Sequence, residues 1–305
     1  MKKIAQFPQF EKLSTQHESL LRSLVSNYPS YSEFVFTSLF AWDTDDAVQV
    51  SCFDGGFAVL SQDHETKKKF YALIGSDNID FLVRQLIELS NKKGFGGYLR
   101  LVPQTVIDNL NKASDLIIQE DRNNFDYILS ANYHAELLGP KNENRRYLIR
   151  KFTKENGAGL TVQHLDLTNS QTRSDILECM SKWMLMSSKN SAKSEIEFIA
   201  IKRALDLSEQ LPLQALGYYI NGIMCAFSIF EYIQNSTGIV HFEKCNLNYK
   251  GIAQHVRNSV AKEFLANNVH YINYEQDLGV VGLRKAKSML HPDSFLKKYT
   301  VSAKA

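Results

Sequence analysis

The chain has 305 residues, 44% of them hydrophobic and 22% charged, and 35 basic against 33 acidic side chains leave a formal net charge of +2. That length exceeds what one core organises comfortably and predicts two domains. So mild a charge argues against binding to nucleic acid or membrane by bulk electrostatics, and the scattered cysteines Cys52, Cys179, Cys225 and Cys245 fit buried thiols of a reducing cytosol, not zinc ligands or disulfides.

The amino terminus, M-K-K-I-A-Q-F-P-Q-F, lacks the apolar stretch of a signal peptide. Alternation over 47–53 and 57–61 around Asp54-Gly55-Gly56 predicts a hairpin, and 70–73 a short third strand. Asp77 is placed to cap a helix reaching about Lys93, with Leu82, Leu86 and Leu89 at helical spacing. After the break at 94–97, residues 98–102 read as a buried strand, 103–112 as a helix, and 117–120 and 125–129 as strands. Residues 133–155 read as a basic helical segment interrupted at Gly139-Pro140, beside the junction of two domains where ligand sites often form. Its bland reading is a solvated helix face.

The second half repeats the order of the first. A strand at 160–167 is followed by helices at 173–187 and 195–209. Residues 211–230 form the longest uncharged run, but Pro212, Gln214 and Asn221-Gly222 make it a hairpin, with strands 216–220 and 223–232, and not a membrane span. A strand at 239–245, a helix at 253–267 and a strand at 270–276 complete it. The domains are accordingly set at 1–130 and 156–305, joined by the linker 131–155. The chain is expected to be cytoplasmic and to have no integral membrane segment.

Residues 271–287, Y-I-N-Y-E-Q-D-L-G-V-V-G-L-R-K-A-K, concentrate charge most. If the strand persists, Glu275 and Asp277 leave it on one face and converge. Arg284 and Lys287 share a face of the following helix, and Lys285 lies between them. Such a cluster suits a polar, zwitterionic or phosphorylated ligand; its plain alternative is a surface ion-pair network. Alternation along 239–245 places His241, Glu243 and Cys245 on one face and Phe242 and Lys244 on the other. The eight histidines show no H-x-H or H-x-x-x-H spacing, so no metal site is expected, and no G-x-S-x-G, Walker or dinucleotide pattern appears. Trp42, Trp183 and the other aromatic residues are most simply core.

Strand–helix–helix–hairpin–strand–helix–strand resembles the acyl-CoA N-acyltransferase (GNAT) fold. That family binds a pyrophosphate on a strand-to-helix loop of pattern [R/Q]-x-x-G-x-[G/A]. Here the loop is Asn248-Tyr249-Lys250-Gly251-Ile252-Ala253, with Asn248 in place of Arg or Gln. A more detailed resemblance, from about Phe34 to Tyr299, is to the phosphatidylglycerol lysyltransferase C-terminal domain family and its stand-alone relatives. It is carried by Phe125-Asp126-Tyr127, Leu138-Gly139-Pro140-Lys141 with Arg145-Arg146 and Phe152, Trp183, Glu197, His241-Phe242-Glu243-Lys244 and Gly251. It continues through 273–279 (N-Y-E-Q-D-L-G), 282–287 (G-L-R-K-A-K), Pro292 and Lys298-Tyr299.

This resemblance implies an α/β chain of two tandem GNAT-like domains, each a mixed central sheet flanked by helices, the second carrying the site. It further implies transfer of an aminoacyl group from aminoacyl-tRNA, or of an acyl group from acyl-CoA, to an amine or hydroxyl acceptor. No tightly bound cofactor is implied. The characterised lipid-modifying members carry a transmembrane portion that is not expected here, so the acceptor stays open among small molecules, lipid headgroups and peptides, with tRNA as a further partner. The alternative is a non-catalytic ligand- or tRNA-binding module with a degenerate GNAT fold. As base or amine-binding carboxylate the resemblance points first to Glu243, whose bland role is a salt bridge. Glu275 and Asp277 would hold the donor's α-ammonium or orient the acceptor. Lys141, Arg145, Arg146, Lys244, Asn273, Gly251, Arg284, Lys285 and Lys287 would bind substrate, and Tyr299 would protonate the leaving group.

Overall fold

The computed structural model describes residues 4–110, 115–186, 192–233 and 236–304. The chain opens with β1 (Glu11–Lys12), α1 (Glu18–Val25), α2 (Phe36–Ala41), β2 (Gln49–Phe53), β3 (Gly56–Gln62) and β4 (Lys69–Ile74). Next come α3 (Ile79–Lys92), β5 (Tyr98–Pro103), α4 (Gln104–Asp108) and β6 (Leu116–Glu120). The middle holds β7 (Asp126–Ser130), α5 (Ala131–Glu136), α6 (Glu143–Asn156), β8 (Leu160–His164), α7 (Ser170–Met186) and α8 (Ala192–Asp206). It ends with β9 (Leu213–Ile220), β10 (Ile223–Ile233), β11 (Thr237–Cys245), α9 (Ile252–Ala266), β12 (Tyr271–Asn273), α10 (Val281–Ser288), β13 (Ser294–Leu296) and β14 (Lys298–Ala303). Asn111, Lys112 and Ser187, the ends of two expected helices, lie outside the described residues.

Contacts divide the chain into two compact units, one of residues up to 127 with 276–290 and the stretch from 294, the other of 128–275 with 291–293. The division differs from contiguous domains 1–130 and 156–305, and the cause is topological. The sheet of the first unit runs β1-β2-β3-β4-β5-β14-β6, so the last strand of the chain enters between β5 and β6. Helix α3 packs on this sheet because its apolar residues follow the helical period: Ile79, Leu82, Val83, Leu86 and Ile87 are buried with Leu73, Leu99, Val102 and Val301. The expected cap shifts by one residue, to Asn78, which adopts the left-handed conformation (φ +52°).

In the second unit the sheet runs β7-β12-β11-β10-β9-β8. The hairpin of β9 and β10 turns on Asn221 and Gly222, both at positive φ, as a two-residue hairpin loop requires. Strand β10 is central and buried from Met224 to Glu231, and α7 and α9 both pack on β10 and β11. Gly238 on β11 admits the ring of Phe264 from α9: a Cβ there would stand 2.2 Å from Phe264 Cε1. The fold is thus the expected α/β one, a mixed sheet flanked by helices in each unit, and β8-α7-α8-β9-β10-β11-α9-β12 reproduces the GNAT order.

Candidate functional site

Strands β11 and β12 run parallel but pair over three residues only, Thr237–Ile239 against Tyr271–Asn273. Beyond Ile239, β11 continues to Cys245 while β12 has ended, so the two strands part. At that point β11 carries an extra residue. Ile229 of β10 faces Phe242 while the next residue, Phe230, faces Val240, leaving His241 as a β-bulge. A bulge redirects the inserted side chain, and here it buries the imidazole between two carboxylates. His241 Nε2 lies 3.7 Å from Glu231 Oε1 on β10, and Nδ1 lies 3.2 Å from Glu275 Oε1. Burial alone would lower the histidine pKa; the flanking carboxylates override it and bring it to about 9.

Two residues on, Glu243 accepts from Arg257 Nε of α9 at 2.9 Å and from the Tyr274 hydroxyl at 3.2 Å. Burial and the adjacent Glu243 push the Tyr274 phenol well up, so it stays a neutral donor. Lys244 donates to Glu197 of α8 at 2.7 Å and sits 4.3 Å above the ring of Trp183 on α7. Three separated motif positions, Trp183, Glu197 and Lys244, therefore meet.

The expected strand at 270–276 stops at Asn273. The buried Asn273 side chain accepts the Glu275 N–H at 2.7 Å, bending the chain, and Glu275 and Leu278 take left-handed φ of +55° and +52°. The two-residue alternation that would have brought Glu275 and Asp277 together is lost. Glu275 turns to His241; Asp277 accepts from Arg284 at 2.8 and 3.0 Å, Arg122 at 3.1 Å, the Tyr127 hydroxyl at 2.6 Å and the Gly279 N–H at 2.9 Å. Burial would raise the Asp277 pKa, but the bonds from Arg284 and Tyr127 bring it down to about 2. Lys287 donates to the Gln276 carbonyl at 2.6 Å, and Lys285 points to solvent.

The remaining predicted residues disperse among structural tasks. Gly251, at φ +97°, begins α9 directly against α6: a Cβ would stand 2.3 Å from the Leu148 carbonyl oxygen. Arg145 donates to Asn142 Oδ1 at 3.0 Å and stacks 5.9 Å from Tyr133. Arg146 reaches the carbonyls of Leu137 and Gly139, and Lys141 is exposed. Tyr299 is buried in the core of the first unit and donates to Gln104 Oε1, and burial raises its pKa.

Residues not singled out from sequence prove as informative. Arg257, Tyr274 and Arg122 hold the predicted acids, and Glu231 faces His241. A lone glutamate inside the apolar run 223–233 is the one sequence signal that marked this place. Of the residues that carry the resemblance, Lys298 and Asp126 are both fully buried in the first unit, where Lys298 pairs with Asp126 at 2.7 Å and with Glu33. Among the described residues, no group of histidine, cysteine and acidic side chains is arranged to hold a metal ion, and no helix is long and apolar enough to cross a membrane.

A solved protein of unknown function from Bacteroides thetaiotaomicron is 23% identical, with 97% of this chain and 99% of that one covered and a TM-score of 0.85. The L-PGS structure from Bacillus licheniformis is 10% identical over 99% of this chain and 94% of that one, with a TM-score of 0.63. A C-terminal domain (DUF2156) attributed to a lysylphosphatidylglycerol synthetase of Agrobacterium fabrum is 11% identical over 95% and 92%, with a TM-score of 0.62. These likenesses carry the fold. No curated protein matches the chain. The family model "Phosphatidylglycerol lysyltransferase, C-terminal" matches residues 26–302, nearly the whole length, and the chain belongs to that family.

Proposed function

We propose that the chain is an acyl- or aminoacyltransferase that moves an aminoacyl group from aminoacyl-tRNA, or an acyl group from acyl-CoA, to an amine or hydroxyl acceptor in the cytoplasm. Family membership supports the reaction class. The observation that carries the reading is the pair of acids in the second unit, Glu243 on β11 and Glu275 in the turn just after β12, where the two strands stop pairing.

With aminoacyl-tRNA as donor, the acceptor's nitrogen or oxygen attacks the ester carbonyl and the bond to the ribose oxygen breaks. The proton leaving the nucleophile passes to Glu243 and returns to the departing ribose oxygen, so acids and bases balance over the turnover. Arg257 and Tyr274 hold Glu243 in place for this role. Glu275 is the counter-charge for the donor's ammonium, and Asp277, fixed by Arg284 and Arg122, supports the adjoining loop. Lys141, exposed in the second unit, supplies positive charge for donor phosphates. The acceptor is a small molecule, a lipid headgroup or a peptide.

The second reading, a binding module without transfer, is favoured by Gly251, whose open side is covered by the Leu148 carbonyl where an anion would have to approach. Melting-temperature shifts with acetyl-CoA and with aminoacyl-tRNA separate the donors, since stabilisation grows with occupancy. Transfer of radiolabelled lysine from lysyl-tRNA, abolished in Glu243→Gln with an unchanged melting temperature, is the expected result. Full transfer by Glu243→Gln removes Glu243 from the chemistry. Binding of tRNA that ignores salt would count against phosphate recognition.

A further inference from the structure

Asp277 holds more positive charge than it needs. Its fully buried carboxylate is met twice by Arg284, through Nε at 3.0 Å and a terminal nitrogen at 2.8 Å. It also accepts from the Tyr127 hydroxyl at 2.6 Å and the Gly279 N–H at 2.9 Å. The two-point pair with Arg284 already neutralises the acid. Arg122 nevertheless adds a second guanidinium at 3.1 Å. All these residues belong to the first unit, and neither Glu243 nor Glu275 does.

Aromatic rings hold Arg122 in addition to the carboxylate. Its guanidinium carbon stands 4.8 Å from the centre of the Phe295 ring, 5.3 Å from that of Tyr127 and 5.4 Å from that of Phe125, and it donates to the Tyr127 hydroxyl at 3.0 Å. Stacking of this kind fixes the plane of the guanidinium and leaves its charge and its fork of donors intact.

Both arginine side chains remain 37% exposed. Arg122 spends its terminal nitrogens on Asp277 and Tyr127, and Arg284 spends Nε and one terminal nitrogen on Asp277 and Asn123. Among the described residues, Arg122 Nε and the second terminal nitrogen of Arg284 have no hydrogen-bond partner. Exposed Asn123 uses its amide oxygen on Arg284 at 2.7 Å and keeps its own N–H groups available. The acids nearby in sequence are engaged elsewhere: Glu120 pairs with Lys297 at 2.7 Å, and Asp121 accepts from the Asn124 amide at 2.7 Å. Two guanidiniums on one carboxylate leave one positive charge over, fixed in place and open to solvent.

We propose that Arg122 and Arg284, with Asn123, form an oxyanion site of the first unit. It takes the carboxylate or phosphate of a small molecule whose apolar part lies against Phe295, itself 37% exposed. Planar forks of N–H donors match both headgroups, and donors already fixed by packing lose little freedom on binding. The site needs neither the acids nor the donor of the proposed transfer.

NMR of the arginine Nε–H signals of the full chain tests this, with benzoate, phenyl phosphate and acetate added at constant ionic strength and chloride as the reference. The Arg122 signal is identified by its loss in Arg122→Gln. Benzoate, phenyl phosphate or both should move the Arg122 signal saturably where chloride does not, and the Arg284 signal should report binding about tenfold weaker in Arg122→Gln. Saturation by one of the two names the headgroup. No saturable shift with either, or unchanged affinity in Arg122→Gln, overturns the site. Acetate should bind at least about threefold more weakly than benzoate, a difference that Phe295→Ala removes. Equal binding of acetate and benzoate overturns the contact with Phe295. Asn123→Ala, at an exposed position, serves where Arg122→Gln does not fold: affinity should fall about threefold, and unchanged affinity there overturns the site.

Discussion

The two units use one plan and fill it differently. Each has an antiparallel three-stranded meander, a crossover helix and a parallel strand: β2-β3-β4-α3-β5 in the first, β9-β10-β11-α9-β12 in the second. In both, the parallel strands barely pair. Tyr71 with Leu99 is the paired position of β4 and β5, and β11 with β12 has three such positions. The first unit closes this region with aromatic packing: Tyr71 lies 5.2 Å from Phe10 and 5.8 Å from Phe95, within a continuous apolar core. In the second, the equivalent strand carries His241, Glu243 and Lys244, each tied to a charged partner. Packing alone satisfies the topology, as the first unit demonstrates. Charges in the second are costly to bury and do nothing the topology requires. The contrast supports placing the chemistry in the second unit.

The first unit has buried charge elsewhere, and breaking it has the largest expected effect. Lys298 on β14, Asp126, Glu33, Ser32 and Gln276 come from four separate stretches of chain. Ser32 donates to Asp126 at 2.7 and 2.9 Å, and Gln276 donates to Ser32 and Glu33 at 2.6 Å. These bonds fasten a unit whose pieces are distant in sequence. Lys298→Met leaves Asp126 buried without its cation and should cost about 3–5 kcal/mol in urea denaturation. A loss below about 1 kcal/mol would show that the cluster is not what holds β14.

The same cluster gives the first unit its own pH response. Burial outweighs the Lys298 charge and raises the Glu33 pKa to about 7. A raised carboxyl contributes stability that is complete below its unfolded value, near 4.5, and is lost as pH rises through 7. His241 acts in the same direction between 6.5 and about 9, while Asp277, lowered from 3.8 to about 2, loses its contribution as pH falls through that window. Wild type should therefore unfold at less urea near pH 8 than near pH 5, and Glu33→Gln should flatten the part of that slope between about 4.5 and 7. An unchanged slope in Glu33→Gln would remove Glu33 from the account.

What was legible in the sequence is what local rules decide. The hairpins at Gly55 and Asn221-Gly222 and the apolar spacing of α3 follow from turn chemistry and period, and both appear. The strand read to Gln276 fails at Asn273 because a side-chain bond, invisible to alternation, bends the backbone. Strand β14 alternates in sequence, yet its place between β5 and β6 depends on partners far along the chain. At the site, Glu243 and Glu275 could be chosen as acids on successive strands. Their partners Arg257, Tyr274 and His241 are set by tertiary packing and by a bulge that no local pattern announces.

Glycines sharpen the comparison at an intermediate size. Gly251→Ala combines a φ of +97° with a clash on the Leu148 carbonyl and should cost about 2 kcal/mol, felt where α9 starts in the second unit. Gly282, inside α10 of the first unit, has nothing within 4 Å of an added Cβ. Gly282→Ala should instead stabilise by about 0.5–1 kcal/mol through helix propensity. Thermal unfolding of the two variants should move in opposite directions. A neutral Gly251→Ala would mean that α6 gives way, reopening that loop to an anion.

The cations of α10 provide the smallest and most discriminating test. Sequence spacing groups Arg284, Lys285 and Lys287, but the fold separates them by task. Arg284→Ala removes two of the donors on buried Asp277 while Arg122, Tyr127 and Gly279 remain, so about 1–2 kcal/mol should be lost. Lys285 is exposed, and Lys285→Ala should stay within about 0.5 kcal/mol of the wild type. Its substitution therefore reports on ligand charge without a stability artefact. If Lys285→Ala weakens binding of tRNA and makes it less dependent on salt, the exposed face of α10 meets phosphate. If binding and its salt dependence do not change, the phosphate contacts must come from other cations, and Lys141 of the second unit, also exposed, is the next to replace.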